Sequence, residues 1–495
     1  MSSPFSRPFD NSYSRLPGDF FSRQTPDAVS SPVLIKANHA LAHQLGIDPD
    51  WLESDQGVAF VAGNYLPEGA DPIATVYAGH QFGGFSPRLG DGRAVLIGEI
   101  IAEDGQRYDL QLKGSGRTPY SRGGDGRAPL GPVLREYVVS EAMAALGVPT
   151  SRALAAVITG DLVMRETPLP GAVLARVAKS HLRIGTMQYF AARNDLKSLG
   201  VLVEYVIKRH YPESENSANP VLSMLNGIIQ KQAELIAQWQ SLGFIHGVMN
   251  TDNMLLSGDT IDYGPCAFLD EFEPGKTFSS IDHGGRYAYG NQPQIAHWNL
   301  SVLTQLLLPL ISDNQDQALA DGQAAIDAFP AQYQSAYLKG MRSKLGLGTE
   351  LDSDAELIQG LLKLMQEEQT DYTLTFRLLS DLAAPDNATQ QAVNELIALP
   401  TSFSGWLERW QSRIAKEKQE PIAIQSLMYA NNPVFIPRNH LLEEVIAAAT
   451  TEMNFEPFEK LIDVLNHPYE YRASLSRFAL PPQEDQVVKQ TFCGT

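Results

Sequence analysis

The period of the apolar positions changes partway along the chain, and the change divides it. Ala94-Val95-Leu96-Ile97, behind the turn Gly90-Asp91-Gly92, is an apolar, β-branched run that predicts a strand. Residues 107–113, RYDLQLK, alternate apolar and polar. They predict a second strand, with Lys113 on its polar side beside Asp109 and Gln111. Residues 153–158, 162–165 and 171–177 alternate likewise and would complete an antiparallel sheet. Between these groups Pro132 opens a helix that Gly147 closes, with Leu134, Val138 and Met143 as its buried face. From Asp195 onward the period is helical, with helices over 196–210, 221–242, 296–310, 315–329, 332–345 and 355–369, and others to Leu465. Upstream of the sheet, residues 32–46 predict a helix: Pro32 starts it, Leu34, Ala37, Leu41 and Leu45 keep helical spacing, and Gly46 ends it.

Strands followed by helices give an α+β fold class, with a mixed β N-lobe and a helical C-lobe. A chain of 495 residues is too long for one ordinary core. The expected division is an extension over 1–80, a sheet-bearing lobe over 81–178, a helical lobe over 179–345, and a helical extension and tail over 346–495. No internal repeat of fixed period is visible. Residues 480–495 are expected to be loosely held.

Charge and composition narrow the partners. With 38 Lys and Arg against 57 Asp and Glu, the net charge is −19. Such a surface argues against nonspecific binding to nucleic acid or anionic lipid. Arginines nonetheless cluster between positions 88 and 193, which leaves room for a local basic pocket. The apolar run 300–311 is too short for a membrane span, and the first residues lack the unbroken apolar core of a secretory signal. A cytoplasmic monomer is the expectation. Two cysteines, Cys266 and Cys493, exclude a disulfide framework. They read either as two unpaired thiols or as a redox pair, since Cys266 is the only internal partner for Cys493.

The chemistry centres on residues 244–265, FIHGVMNTDNMLLSGDTIDYGP. Upstream stand the glycine turn, Lys113 at a strand end, and residues 114–131 with six glycines and Arg117, Arg122 and Arg127. Glu136 follows in the first turns of a helix, then Arg176 and Arg183. Each has a plain reading: a hairpin turn, a solvated loop, an acid near a helix N-terminus, surface ion pairs. His80 in YAGHQFGGF reads as a structural loop histidine. In order, over about 170 residues, the set follows the protein-kinase-like fold: glycine turn, strand lysine, helix glutamate, His-Gly, Asp-Asn, then Asp-Tyr-Gly. ATP needs cationic side chains around its phosphates, and magnesium needs hard oxygen ligands, which Asn253 and Asp262 supply. The pattern departs at Val248, where kinases place a catalytic aspartate. Asp252 is the carboxylate of the motif that can replace it. An ATP-dependent kinase and a non-catalytic ATP-binding scaffold remain the alternatives to an enzyme that holds its nucleotide in another orientation.

The motifs YAGHQFGGF, LGDGRA, LQLKGSGRTPYSRGGDGRA, LREY, ARVAKSHLRIGT, FIHGVMNTDNM and IDYGP resemble those of the selenoprotein O (SelO/YdiU) family of protein adenylyltransferases. The resemblance covers the whole length, and the closing Cys-Gly-Thr is similar to the end where relatives carry selenocysteine or cysteine. It implies a kinase-like fold with ATP bound in a flipped orientation. AMP would pass to Ser, Thr or Tyr of a protein, with pyrophosphate leaving. By motif, it implies that Gly90, Gly92, Arg93, Lys113, Asp125, Gly126, Arg176, Arg183 and Asp262 bind the nucleotide. Glu136 would pair with Lys113, Asp252 would accept the proton, and Asn253 and Asp262 would bind Mg²⁺ or Mn²⁺.

Overall fold

A computed structural model describes residues 4–385 and 392–492. Its main sheet has eight strands, all paired antiparallel. They are β1 (Phe21–Arg23), β2 (Val33–Ala37), β3 (Ile73–Thr75), and, beyond the small separate hairpin of β4 (Gly79–Gln81) and β5 (Gly84–Ser86), β6 (Ala94–Ile101), β7 (Arg107–Lys113), β8 (Ala128–Pro129), β9 (Arg152–Met164) and β10 (Pro168–Ala178). The order is β1-β3-β6-β7-β10-β9-β2, with β8 on β10. The helices flanking the sheet are α1 (His39–Leu45), α2 (Pro49–Glu53), α3 (Asp55–Val61) and α4 (Leu130–Ala145). Then follow α5 (Ile184–Ala191), α6 (Leu196–His210), α7 (Pro220–Leu242), the strand pair β11 (Phe244–Ile245) and β12 (Ala267–Phe268), α8 (Gln292–Ile311), α9 (Gln315–Asp327) and α10 (Phe329–Lys344). The last helices are α11 (Asp354–Glu367), α12 (Tyr372–Leu382), α13 (Ser404–Ile414), α14 (Pro421–Asn431), α15 (Asn439–Glu452) and α16 (Glu456–Leu465). The chain is therefore α+β around an antiparallel sheet.

Four readings of the sequence need correction. The separate strands expected over 153–158 and 162–165 are one strand, β9. The helix expected over 32–46 is a strand followed by a helix. Val33, Leu34 and Ile35 are β-prone and pair with β9. Helix α1 starts only after Asn38, whose side chain accepts from Leu41 N. Helix α4 begins at Leu130, before Pro132, so this proline occupies its first turn. The tail is not loose at Thr491, which is 2% exposed. Its N–H donates to Phe278 O, its carbonyl accepts from Ser280 N, and its hydroxyl donates to Pro265 O at 2.6 Å.

The alternation of the strands sorts side chains onto two faces. Val95, Ile97, Leu110, Leu112, Val173 and Val177 join Leu41, Leu52 and Phe60 of α1–α3 in one apolar cluster. Leu96 and Leu174 join Leu130, Leu134 and Val138 of α4 in another. On that second face β7 also carries Gln111 and Lys113, and β10 carries Arg176, paired across the ladder as Arg176↔Gln111 and Leu174↔Lys113. Helix α4 is apolar on nearly every side, as a fully enclosed helix must be. Its outer side is covered by α15 and α16: Tyr137 meets Phe458 edge-on at 5.5 Å, and Arg135 Nη1 lies 3.3 Å from Glu443. Each large side chain buried there is worth about 1.5–3 kcal/mol. This double cover holds Glu136 against the sheet.

Candidate active site

A cavity of about 520 Å³ opens between the second face of the sheet, α4, and the loop from Val248 to Pro265. Two neighbouring strands, one helix and one loop converge at its floor. Lys113 Nζ on β7 donates to Glu136 Oε2 at 2.5 Å and to Asp262 Oδ1 at 2.8 Å. Arg176 Nη1 on β10 donates to Glu136 Oε1 at 2.9 Å and to Asp262 Oδ1 at 2.7 Å, while its Nη2 holds Gln111 at 2.7 Å. Arg183 Nη1 donates to Asp262 Oδ2 at 3.0 Å and to the carbonyl of Asp252 at 2.6 Å. Arg183 is brought there because residues 182–184 run beside 254–256, with Ile184 N on Met254 O and Leu256 N on Leu182 O. Its guanidinium lies 4.6 Å from the ring centre of Tyr77.

The electrostatics follow from this packing. Burial alone would raise the Glu136 and Asp262 carboxyls. The facing cations outweigh it, so Glu136 is lowered and Asp262 lies well below the usual carboxylate range. Three cations face two carboxylates, an excess of positive charge suited to a polyphosphate. Asp262 adopts φ +64°, an uncommon conformation for a residue other than glycine. Asp252 differs. Burial pushes its carboxyl up to about 6, against the pull of Gln81 and Arg183. Its Oδ2 accepts from Gln81 Nε2 at 3.0 Å. Its Oδ1 is buried and has no hydrogen-bond partner among the described residues.

The rim is made of the two glycine-rich segments. Gly90, at φ +136°, lies under the ring of Tyr120, and a Cβ there would fall 2.4 Å from Tyr120 Cγ. The turn over 90–92 and the loop over 114–126 are thus packed on each other. Asp125 is gripped by Arg165, with Nη1 on Oδ2 at 2.8 Å and Nη2 on Oδ1 at 3.2 Å. Gly90, Gly92, Arg93, Lys113, Asp125, Gly126, Glu136, Arg176, Arg183, Asp252, Asn253 and Asp262 all line this one cavity. Arg122 and Arg127 line it too. Arg117 does not, and its Nε donates to Gly124 O at 3.0 Å within the loop. Val248 is buried in the wall, where its side chain offers no polar atom.

Two donors fit a hard cation. Asn253 gives its Nδ2 hydrogen to Val248 O at 2.9 Å, which commits the nitrogen and leaves the carboxamide oxygen as a ligand. Asp262 adds a carboxylate. Among the described residues no group of three or more His, Cys, Asp and Glu could hold a metal. A cation here would take its remaining ligands from phosphate and water, as magnesium usually does. His246 is structural: it stacks on Trp239 and bonds Ile261 O at 2.8 Å. His80 likewise bonds Gln188 at 2.7 Å. Cys266 is buried, its thiol pushed up to about 12 by burial, with Sγ 3.3 Å from Tyr263 O. Cys493 lies outside the described residues.

Sequence reasoning missed Gln81, Arg165 and Tyr77. Gln81 and Arg165 act across 171 and 40 residues of chain, and no local pattern marks either pairing. The arginine at the end of a strand facing a glycine-rich loop was the one available signal for Arg165.

A family model described as Protein adenylyltransferase SelO matches residues 5–466. A protein of Rhodopseudomonas palustris (strain BisB18) named Protein nucleotidyltransferase YdiU is 58% identical over 488 residues, 99% of each chain. Proteins of the same name from Methylorubrum extorquens (strain PA1) and Bradyrhizobium diazoefficiens are 55% and 56% identical, again over 99% of each chain.

Proposed function

The chain belongs to the SelO family of protein adenylyltransferases, and from that premise we propose how its cavity moves AMP from ATP onto a protein. The enzyme is a nucleotidyltransferase that uses ATP. The observation that carries the reading is the convergence of Lys113, Arg176 and Arg183 on Asp262 at the cavity floor, next to Asp252. In our reading the triphosphate enters with its β- and γ-phosphates toward these cations, and the α-phosphate faces the acceptor. Gly90, Gly92, Arg93, Asp125 and Gly126 complete the nucleotide-binding wall, and Glu136 keeps Lys113 in place. Asn253 and Asp262 would hold Mg²⁺ or Mn²⁺, which when bound neutralises phosphate charge.

The acceptor is a Ser, Thr or Tyr hydroxyl of a protein. Its oxygen bonds to the α-phosphorus as the bond from that phosphorus to the bridging oxygen breaks. The electron pair leaves with pyrophosphate, and the hydroxyl proton passes to Asp252. Lys113, Arg176 and Arg183 stabilise the charge that builds on the leaving group. Val248 supports the choice of Asp252, because no carboxylate stands where a kinase keeps its base.

The finer architecture belongs to the same proposal. Residues 81–178 and 179–345 form two kinase-like lobes around the cavity, 1–80 extends the first, and 346–495 braces them. The Lys113–Glu136 pair between β7 and α4 supports this. We take the enzyme to act as a cytoplasmic monomer, with no nucleic-acid or membrane partner, in keeping with the net charge of −19. Among the described residues no helix is long and apolar enough to cross a membrane. Mass spectrometry of acceptor proteins after incubation with ATP tests the function. An added AMP on a hydroxyl residue is expected, and an added phosphate would overturn it.

A further inference from the structure

The hairpin of β4 and β5 lies across the turn that carries Asp252. His80 N donates to Thr251 Oγ1 at 2.7 Å, and Phe82 N donates to Asn250 Oδ1 at 3.1 Å. The two segments approach so closely at Gly79 that a Cβ there would fall 2.3 Å from Asp252 Oδ1. Ala78 N donates to Gly185 O at 2.9 Å, which ties the start of the hairpin to α5. Between the bonds of His80 and Phe82, Gln81 turns its side chain to Asp252 and lines the cavity.

Asp252 is thus held at two points. Arg183 takes its main-chain carbonyl at 2.6 Å, and Gln81 Nε2 takes Oδ2 at 3.0 Å. The remaining atom, Oδ1, is buried and without a partner among the described residues. A carboxylate has two equivalent oxygens, and rotation about its last side-chain bond exchanges them. A base that must meet one hydroxyl in one geometry works best when that rotation is stopped. An amide N–H is suited to this, because it donates to one oxygen without adding a charge that would compete for the triphosphate.

We propose that Gln81 is a positioning residue for adenylyl transfer: its amide holds Oδ2 of Asp252 and so fixes the carboxylate in the one orientation from which it takes the proton of the acceptor hydroxyl. This rests on Asp252 as the proton acceptor. The bond is not needed to keep the hairpin in place, since the main-chain bonds of His80 and Phe82 remain without it. A purely structural glutamine and a positioning one therefore predict different outcomes.

The test compares Gln81→Leu and Gln81→Glu with the parent enzyme, and each again in an Asp252→Asn background. Turnover, KM for ATP, affinity for a non-hydrolysable ATP analogue and Tm are all measured. Gln81→Leu is expected to lower kcat about 10- to 100-fold, with nucleotide affinity and KM for ATP within about twofold of the parent and Tm unchanged. Gln81→Glu falls at least as far, because a carboxylate cannot donate and repels Asp252. In the Asp252→Asn background neither substitution lowers the residual rate further. A kcat for Gln81→Leu within about twofold of the parent, or a fall that tracks nucleotide affinity or Tm, would overturn the assignment. Parental turnover by Asp252→Asn alone would instead sink the reading of Asp252 as the base.

Discussion

Arg176 Nη1 lies 2.7 Å from Asp262 Oδ1 and 2.9 Å from Glu136 Oε1, so one guanidinium on β10 joins the helix acid to the loop acid. Arg176 is 2% exposed. Replacing it with methionine leaves Glu136 facing Lys113 alone and Asp262 with only Lys113 and Arg183. Arg176→Met should therefore lose about 3–5 kcal/mol of stability, the usual consequence of removing one partner of a buried pair. It should also weaken nucleotide binding. Chemical denaturation and titration with an ATP analogue check the two effects. Arg176→Lys keeps the charge but cannot reach Gln111, Glu136 and Asp262 together, and should recover only part of either loss.

Arg165 gives a contrasting case. It grips Asp125 at the rim, its side chain 26% exposed. Ion pairs in such places add about 0–1 kcal/mol. Arg165→Ala should leave Tm nearly unchanged. It should raise KM for ATP several-fold, because Asp125 and the loop beside it lose their anchor. Steady-state kinetics at saturating acceptor reads this directly, and an unchanged KM would detach the loop from nucleotide binding.

A pH effect is expected away from the cavity. Burial raises the Asp109 carboxyl, but Arg209 and His181 outweigh it and bring it down to about 2. Arg209 Nη2 and His181 Nδ1 are 2.5 and 3.0 Å away, and Glu99 shares the same arginine. The folded value is below the unfolded one, so the stabilisation is fully present above about pH 4 and is lost as pH falls toward 2. Asp109→Asn should be less stable than the parent at neutral pH. The gap between them should narrow in acid, as followed by denaturation at several pH values.

The thiol of Cys266 is buried and held protonated. It should resist maleimide in the native protein and react only on unfolding. A redox tie between Cys266 and Cys493 has one observation in its favour: Thr491 is bonded to Pro265 O, beside Cys266. Mass spectrometry of alkylated protein with and without reductant tests it. With alkylation carried out under denaturing conditions, full labelling of both cysteines whether or not reductant was present beforehand would end that idea.

Much of this arrangement was legible in the sequence. Strand β6 followed from its apolar, β-branched run and β7 from its alternation, and the order of Lys113, Glu136, Asp252, Asn253 and Asp262 pointed to one site, where all five line one cavity. What was missed has a common cause. Residues 33–37 fit helical spacing as well as alternation, and only pairing with β9, more than 100 residues away, makes them a strand. The hairpin at 79–86 is too short for any period, so its grip on residues 250–252 could not be foreseen. The enclosure of α4 depended on α15 and α16, some 300 residues downstream, although its nearly continuous apolar sequence was a sign that something must cover it.

The central claim is that the α-phosphate faces the acceptor while Lys113, Arg176 and Arg183 hold the leaving pyrophosphate. Incubation with ATP labelled at either the α- or the γ-phosphate tests it most directly. Label from the α position on the acceptor, with the γ label recovered in pyrophosphate, and loss of both signals in Asp262→Ala, is the predicted result. Label from the γ position on the acceptor would contradict it.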